Sequence, residues 1–292
     1  MKNKIKDLLL KLNISTDKSI IDFYPAVRDR DDVSVLKCNN SGVIFLSRTD
    51  HMEITHYETK ESYSEWGVEN RKEALKVCEE DDKRRFNQFK DIIQNKSWLD
   101  IGTGAGGILD YLSPVAETAV AVEPHNCTRN ALVKLGYNVK SSLNEVENNS
   151  CDVITLFHVL EHITTPIATL KEIRTKMKVG SKLIIEIPHA RDFLLSQCDL
   201  NEFKAFTLWS EHLILHTRES LKTFLGEAGF TNIKISGFQR YSLSNHLYWL
   251  AKKKPEGHRI WDDFNDKSFN ETYSNMLSNM DCNDTLIAVI TK

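Results

Sequence analysis

The chain has no C-x-x-C pair, no internal repeat, no low-complexity tract and no apolar run long enough to span a bilayer. Its six cysteines, Cys38, Cys78, Cys127, Cys151, Cys198 and Cys282, stand singly. Free thiols in a reducing cytosol are the simplest expectation, and a paired-cysteine zinc site is excluded. Neither sign of charge dominates: 38 basic side chains face 41 acidic ones, which argues against the basic face that double-stranded nucleic acid requires. The amino terminus sets Leu8-Leu9-Leu10 among lysines. That cluster is too short for a signal-peptide core, so the expected location is cytoplasmic, with no membrane span.

What is present is concentrated in one stretch. The apolar run Trp98-Leu99 ends in Asp100, Ile101 follows, and Gly102, Gly104, Gly106 and Gly107 then fall within six positions. Such a stretch reads as a strand running into a ligand-binding turn, because glycine accepts positive φ and lets a ligand approach closer than a Cβ allows. A helix from Ile108 to Leu112 would turn its N-terminal N–H groups toward that ligand. Gly102, Gly104 and Gly107 fit G-x-G-x-x-G, and Glu123 closes a second apolar run where it could accept ribose hydroxyls. On the glycines alone an NAD-dependent oxidoreductase is a fair reading. Asp100 shifts the balance: it would repel a pyrophosphate, whereas the amino group and sulfonium of S-adenosylmethionine are positive.

The pattern apolar-apolar-Asp-Ile-Gly-Thr-Gly-Ala-Gly resembles motif I of class I S-adenosylmethionine-dependent methyltransferases. Three further stretches extend the resemblance over roughly residues 85 to 240: Cys151 to Ile163 with Pro166, Lys178 to Pro188, and Glu211 to Leu221 with Leu225 through Phe230. The resemblance implies an α/β Rossmann-like fold with a mostly parallel seven-stranded sheet in the order 3-2-1-4-5-7-6. It also implies that S-adenosyl-L-methionine is bound by Arg85, Asp100, Gly102, Thr103, Gly104, Gly106, Glu123, Pro124, Ser142, Leu143, Phe157 and His158. Of these, Arg85 is expected at the carboxylate of the cofactor's methionine part, with the three glycines beneath its amino-acid part.

Residues 1–70 form an expected N-terminal extension, with a hairpin from Val33–Cys38 and Val43–Leu46 around Asn39-Asn40-Ser41-Gly42. Residues 71–292 are the expected cofactor-binding domain. Within it, the segments 190–218 and 240–282 read as insertions that roof the substrate site.

His158-Val159-Leu160-Glu161-His162 matches H-x-x-E-H, a spacing that binds zinc in some proteases. Here the motif follows a strand rather than lying within a long helix, so it is read as structural, with no metal. Methyl transfer needs alignment above all, and a general base only where the acceptor must lose a proton. His189, just past the fifth strand, and His212 are the candidate bases. Arg240, Tyr241, Asn245 and His246 combine aromatic faces with hydrogen-bonding groups, as a sugar pocket requires, and are the candidate substrate-binding residues.

The expected activity is methyl transfer to a small polar acceptor, a hydroxyl of a sugar or nucleotide-linked sugar in surface-polysaccharide metabolism. The alternatives are O-methylation of an aromatic or quinone-like acceptor and a non-catalytic cofactor-binding scaffold. Association into a homodimer is compatible with the sequence.

Overall fold

The computed structural model describes residues 3–52 and 70–292, and all that follows concerns those residues. Residues 1, 2 and 53–69 of the expected N-terminal extension lie outside the described residues.

The apolar runs become the centre of a seven-stranded sheet. Strands β4 (Ser97–Ile101), β5 (Thr118–Val122), β6 (Val139–Lys140), β7 (Cys151–Phe157) and β8 (Met177–Pro188) pair in parallel. Strand β11 (Thr285–Thr291) runs antiparallel between β8 and β10 (Asn232–Phe238). The order β10-β11-β8-β7-β4-β5-β6 is the expected one, and the fold is the Rossmann-like methyltransferase fold. Central strands need apolar residues on both faces, and Leu99, Ile154, Leu156, Leu183, Ile184 and Ile185 are all inaccessible to solvent. Each such side chain contributes about 1.5–3 kcal/mol of burial free energy.

Helices cover the sheet: α2 (Arg71–Ile93), α3 (Gly107–Leu112), α4 (Asn126–Lys134), α5 (Pro166–Lys176) and α8 (Arg218–Glu227). The charged stretch before β4 forms α2 because Asn70 caps its first turn by accepting from the Glu73 N–H, while Ala74, Phe89 and Ile93 give it a buried face. In α5, Pro166 stands in the first turn, where its missing N–H has no intrahelical partner to lose.

At the amino end, α1 (Lys4–Lys11) packs Ile5 and Leu9 inward. Strands β1 (Ile20–Tyr24), β2 (Val35–Cys38) and β3 (Ile44–Leu46) form an antiparallel meander, of which the β2–β3 hairpin was legible from its turn residues. A fourth strand completes this sheet from far along the chain. Strand β9 (Ile214–Leu215) pairs with β3 through Ile44–Leu215 and Phe45–Ile214. The remaining segments are helical: α6 (Phe193–Ser196) and α7 (Asn201–Thr207) before β9, and α9 (Leu243–Lys252), α10 (Gly257–Ile260) and α11 (Lys267–Asn279) before β11. No helix among the described residues is long and apolar enough to cross a membrane.

Candidate functional site

The turn after β4 is shaped by its glycines. Gly102 has φ +72°, and a methyl group there would lie 2.5 Å from Val159 Cγ2, so only glycine fits. Its N–H donates to the Val122 carbonyl at 2.8 Å, tying the loop to the end of β5. Glu123 finishes the arrangement: its carboxylate accepts from the Gly104 N–H and from the His125 N–H, each at 2.8 Å. Gly106 departs from its expected place beneath the cofactor. It precedes α3 at φ +75° and does not line the cavity, because its role is to clear the Leu132 side chain, which a methyl group would meet at 2.5 Å.

Asp100 is buried at the carboxyl end of β4, where the Thr155 hydroxyl donates to it at 2.6 Å and itself accepts from the Trp98 indole N–H at 2.9 Å. Burial pushes the Asp100 carboxyl up to about 7 against the opposing pull of its hydroxyl donors.

A cavity of about 1350 Å³ opens over the carboxyl ends of the parallel strands. Its lining includes the expected cofactor residues Arg85, Asp100, Gly102, Thr103, Gly104, Glu123, Pro124, Ser142, Leu143, Phe157 and His158, together with His189, His212, Arg240, Tyr241, Asn245 and His246. Its volume exceeds the roughly 300–1,000 Å³ usual for one small ligand, so a nucleoside cofactor and an acceptor fit together. A carboxyl-end crevice is where open α/β sheets bind ligands.

Arg85 does not stand open for a cofactor carboxylate. Its guanidinium donates to Glu186 at 2.7 Å and reaches Asp82 at 3.5 Å. Glu186 has no solvent access and also receives Arg84 at 2.8 Å and His158 Nε2 at 3.3 Å. Burial alone would raise its pKa, but Arg85 and the His158 imidazole hold it well below the carboxylate range. His158 is therefore a member of this buried network. At φ +56° it bonds Glu161 through Nδ1 at 3.1 Å, and Glu161 and Glu186 raise its basicity against the effect of burial.

The candidate substrate residues are similarly engaged. Arg240, half-buried, forms an ion pair with Asp81 on α2, with Nε at 3.2 Å, which fastens the segment before α9 to α2. Burial works against that carboxylate, yet Arg240 and Arg85 hold it well below its usual range. Asn245 uses its side-chain oxygen to accept the Gly257 N–H at 3.1 Å, joining α9 to α10. His246 Nδ1 meets the Tyr273 hydroxyl at 2.7 Å, and burial lowers the imidazole to about 4. Of the four, Tyr241 is the most exposed.

His189 and His212 both line the cavity but pack against different neighbours. His189 Nδ1 lies 3.0 Å from the Asn283 carbonyl, its Nε2 is buried with no hydrogen-bond partner, and burial lowers it to about 4. His212 packs edge-on against His162, ring centroids 5.0 Å apart, and against Trp209. Burial, with help from His162, lowers it well below the usual imidazole range.

Sequence reasoning missed Glu186, Asp192, Asp284 and Trp209. Glu186 had a signal, a carboxylate inside the apolar run Leu183-Ile184-Ile185-Glu186-Ile187, which a buried strand tolerates only with a cationic partner. Asp284 accepts the backbone N–H groups of Arg240 and Tyr241 and the Gln239 side chain, so it shapes the cavity's roof.

Residues 69–235, more than half of the chain, match the family model described as a methyltransferase domain. No curated protein matches the sequence. Among solved structures, an Archaeoglobus fulgidus SAM-dependent methyltransferase aligns at 19% identity over 76% of this chain and 95% of its own, with a TM-score of 0.51. A complex of a Haloferax volcanii methyltransferase activator and a methyltransferase gives 12% identity over 80% and 98%, TM-score 0.55. The plantazolicin methyltransferase BamL, bound to a substrate analogue and SAH, gives 14% identity over 83% and 95%, TM-score 0.52. At these identities the likeness is one of fold.

Proposed function

The chain belongs to the methyltransferase-domain family, and on that premise we propose that it methylates a hydroxyl of a small polar acceptor, a sugar or nucleotide-linked sugar. S-adenosylmethionine is the cofactor and S-adenosylhomocysteine the product it leaves. On this reading Asp100 receives the cofactor's amino group and Glu123 the ribose hydroxyls, which its remaining lone pairs can accept.

The observation that carries the acceptor reading is His189. A backbone carbonyl at 3.0 Å from Nδ1 can only accept, so Nδ1 bears the proton and Nε2 presents a bare lone pair. That lone pair is buried without a partner in the cavity wall past β8. A buried acceptor of this kind calls for a donor, and an acceptor hydroxyl supplies one. As the oxygen attacks the methyl carbon in line and the C–S bond breaks, the hydroxyl becomes strongly acidic. Even an imidazole lowered to about 4 can then take its proton.

The aromatic alternative has its own support, because Phe203, Phe206, Trp209 and Trp249 also line the cavity. Incubation with methyl-labelled S-adenosylmethionine and parallel panels of sugar nucleotides and phenols separates the two. Label in a sugar supports the first reading and label in a phenol the second. Cofactor binding with no transfer to either panel would reduce the protein to a cofactor-binding scaffold.

A further inference from the structure

We propose that Glu161, His162 and His212 form a binding site for one divalent transition-metal ion in the wall of the cavity. One ligand atom from each of the three lies within 4.8 Å of the other two. Glu161 and His162 sit on the single helical turn Leu160–His162 that follows β7, whereas His212 comes from the segment leading into β9. The two segments are joined by the backbone itself, since the Leu213 N–H donates to the Glu161 carbonyl at 2.9 Å. The ligands are thus brought together before any ion arrives.

Three observations point to a cation. First, Glu161 has no solvent access, and its Oε2 accepts no hydrogen bond, an expensive state for a carboxylate oxygen. Second, His162 Nε2 and Glu161 Oε1 face each other at 4.0 Å. That is too long for a hydrogen bond, whose limit is about 3.2 Å. An ion about 2.0–2.2 Å from each ligand bridges such a gap with little adjustment. Third, Glu211 Oε2 lies 3.8 Å from His162 Nδ1, on the far side of the ring. A carboxylate there favours the tautomer with Nδ1–H, which places the ring's lone pair on Nε2, the atom that faces Glu161, as carboxylates behind metal-bound histidines do.

The set differs from the H-x-x-E-H reading of the sequence. His158 is occupied by Glu186 and Arg240, and His212, 50 positions beyond His162 in number alone, takes the place it would have had. Two imidazoles and one carboxylate suit manganese, iron, cobalt or zinc better than magnesium, and they leave coordination positions open. His162 and His212 line the cavity, so those positions can take an oxygen of the acceptor. That last role rests on the methyl-transfer reading, whereas metal binding itself does not.

The test is made on the full chain, stripped with chelator and titrated with Co²⁺ in the absence of cofactor and acceptor, following the visible d–d bands and the metal content. One ion per chain is expected. Glu161→Gln and His212→Ala should each weaken binding by about 100-fold or more, with far-ultraviolet circular dichroism confirming that both fold. His258→Ala, outside the cluster, should bind as the parent does. No binding at millimolar Co²⁺, binding that survives His212→Ala unchanged, or binding abolished by His158→Ala but not by His212→Ala would each overturn the proposal. Since no acceptor is present, a failed methyl-transfer screen would not affect this result, nor would absent metal binding affect that screen.

Discussion

Arg85 and Glu186 form a buried ion pair at 2.7 Å, between side chains 10% and 0% exposed, that bolts α2 to the carboxyl end of β8. Removing one partner from such a pair leaves a buried charge, at a cost of about 3–5 kcal/mol. Arg84 remains beside Glu186 and should limit the loss. Arg85→Met should therefore destabilise the protein by about 3 kcal/mol in urea denaturation. If it instead left stability intact and weakened only cofactor binding, the guanidinium would belong to the ligand after all.

Gly102 admits no side chain. Gly102→Ala combines positive φ with a methyl group 2.5 Å from Val159, and should cost about 1–3 kcal/mol of stability while displacing the loop. Calorimetry should show S-adenosylhomocysteine affinity falling in parallel with the melting temperature. Gly136→Ala is the control for open space, since a methyl group there meets nothing, although its φ of +93° still carries backbone strain.

Glu123→Ala removes the acceptor for two backbone N–H groups as well as the proposed ribose contact. Affinity for S-adenosylhomocysteine should drop by about 1.5–3 kcal/mol for each charge-assisted bond lost. Unchanged affinity would place the ribose elsewhere.

Asp100 makes cofactor binding depend on pH. Its carboxyl is raised to about 7 from an ordinary value of 3.8, so between these limits the folded, ligand-free protein holds a proton that the unfolded chain releases. Stability of that form should fall as pH rises from about 4 to about 7. Cofactor binding should show the reverse trend, because an ammonium group favours ionised Asp100. Affinity for S-adenosylhomocysteine should rise between pH 5.5 and 7.5 with proton release on binding, measured by calorimetry in buffers of different ionisation enthalpy. Asp100→Asn should abolish the release, and a release that persists in that variant would exclude Asp100 as its source.

His189→Ala should lower kcat by about 100-fold or more with cofactor affinity unchanged. Because the imidazole stays neutral above about pH 5, the parent's rate should show no histidine limb near pH 6–7 arising from this residue. A variant with full kcat would show that no base acts there.

The parts of this molecule that were legible in its sequence are those whose causes are local. An apolar run, a carboxylate and a cluster of glycines define β4 and its loop through backbone sterics alone, and Asn39 to Gly42 define a turn in the same way. What escaped was decided by partners distant in the chain. Arg85 looked like a free cation because Glu186 stands 101 positions away. The sequence offers Asn245 and His246 as sugar ligands but does not show that Asn245 also holds Gly257 and His246 also meets Tyr273, 12 and 27 positions away. Strand β9 has two residues, too few for any periodicity, and exists because β3 offers it an edge.

That two-residue strand also sets an order of events during synthesis. As the chain leaves the ribosome amino end first, β1, β2 and β3 emerge with one sheet edge uncovered, and the residues that cover it, Ile214 and Leu215, emerge only after β4 through β8. The nascent amino-terminal meander must wait with an unpaired edge while most of the larger sheet is being made, a condition that invites pairing with a neighbouring chain. Demand for a chaperone on nascent chains should therefore end not when the amino-terminal segment is complete but when residue 215 clears the exit tunnel.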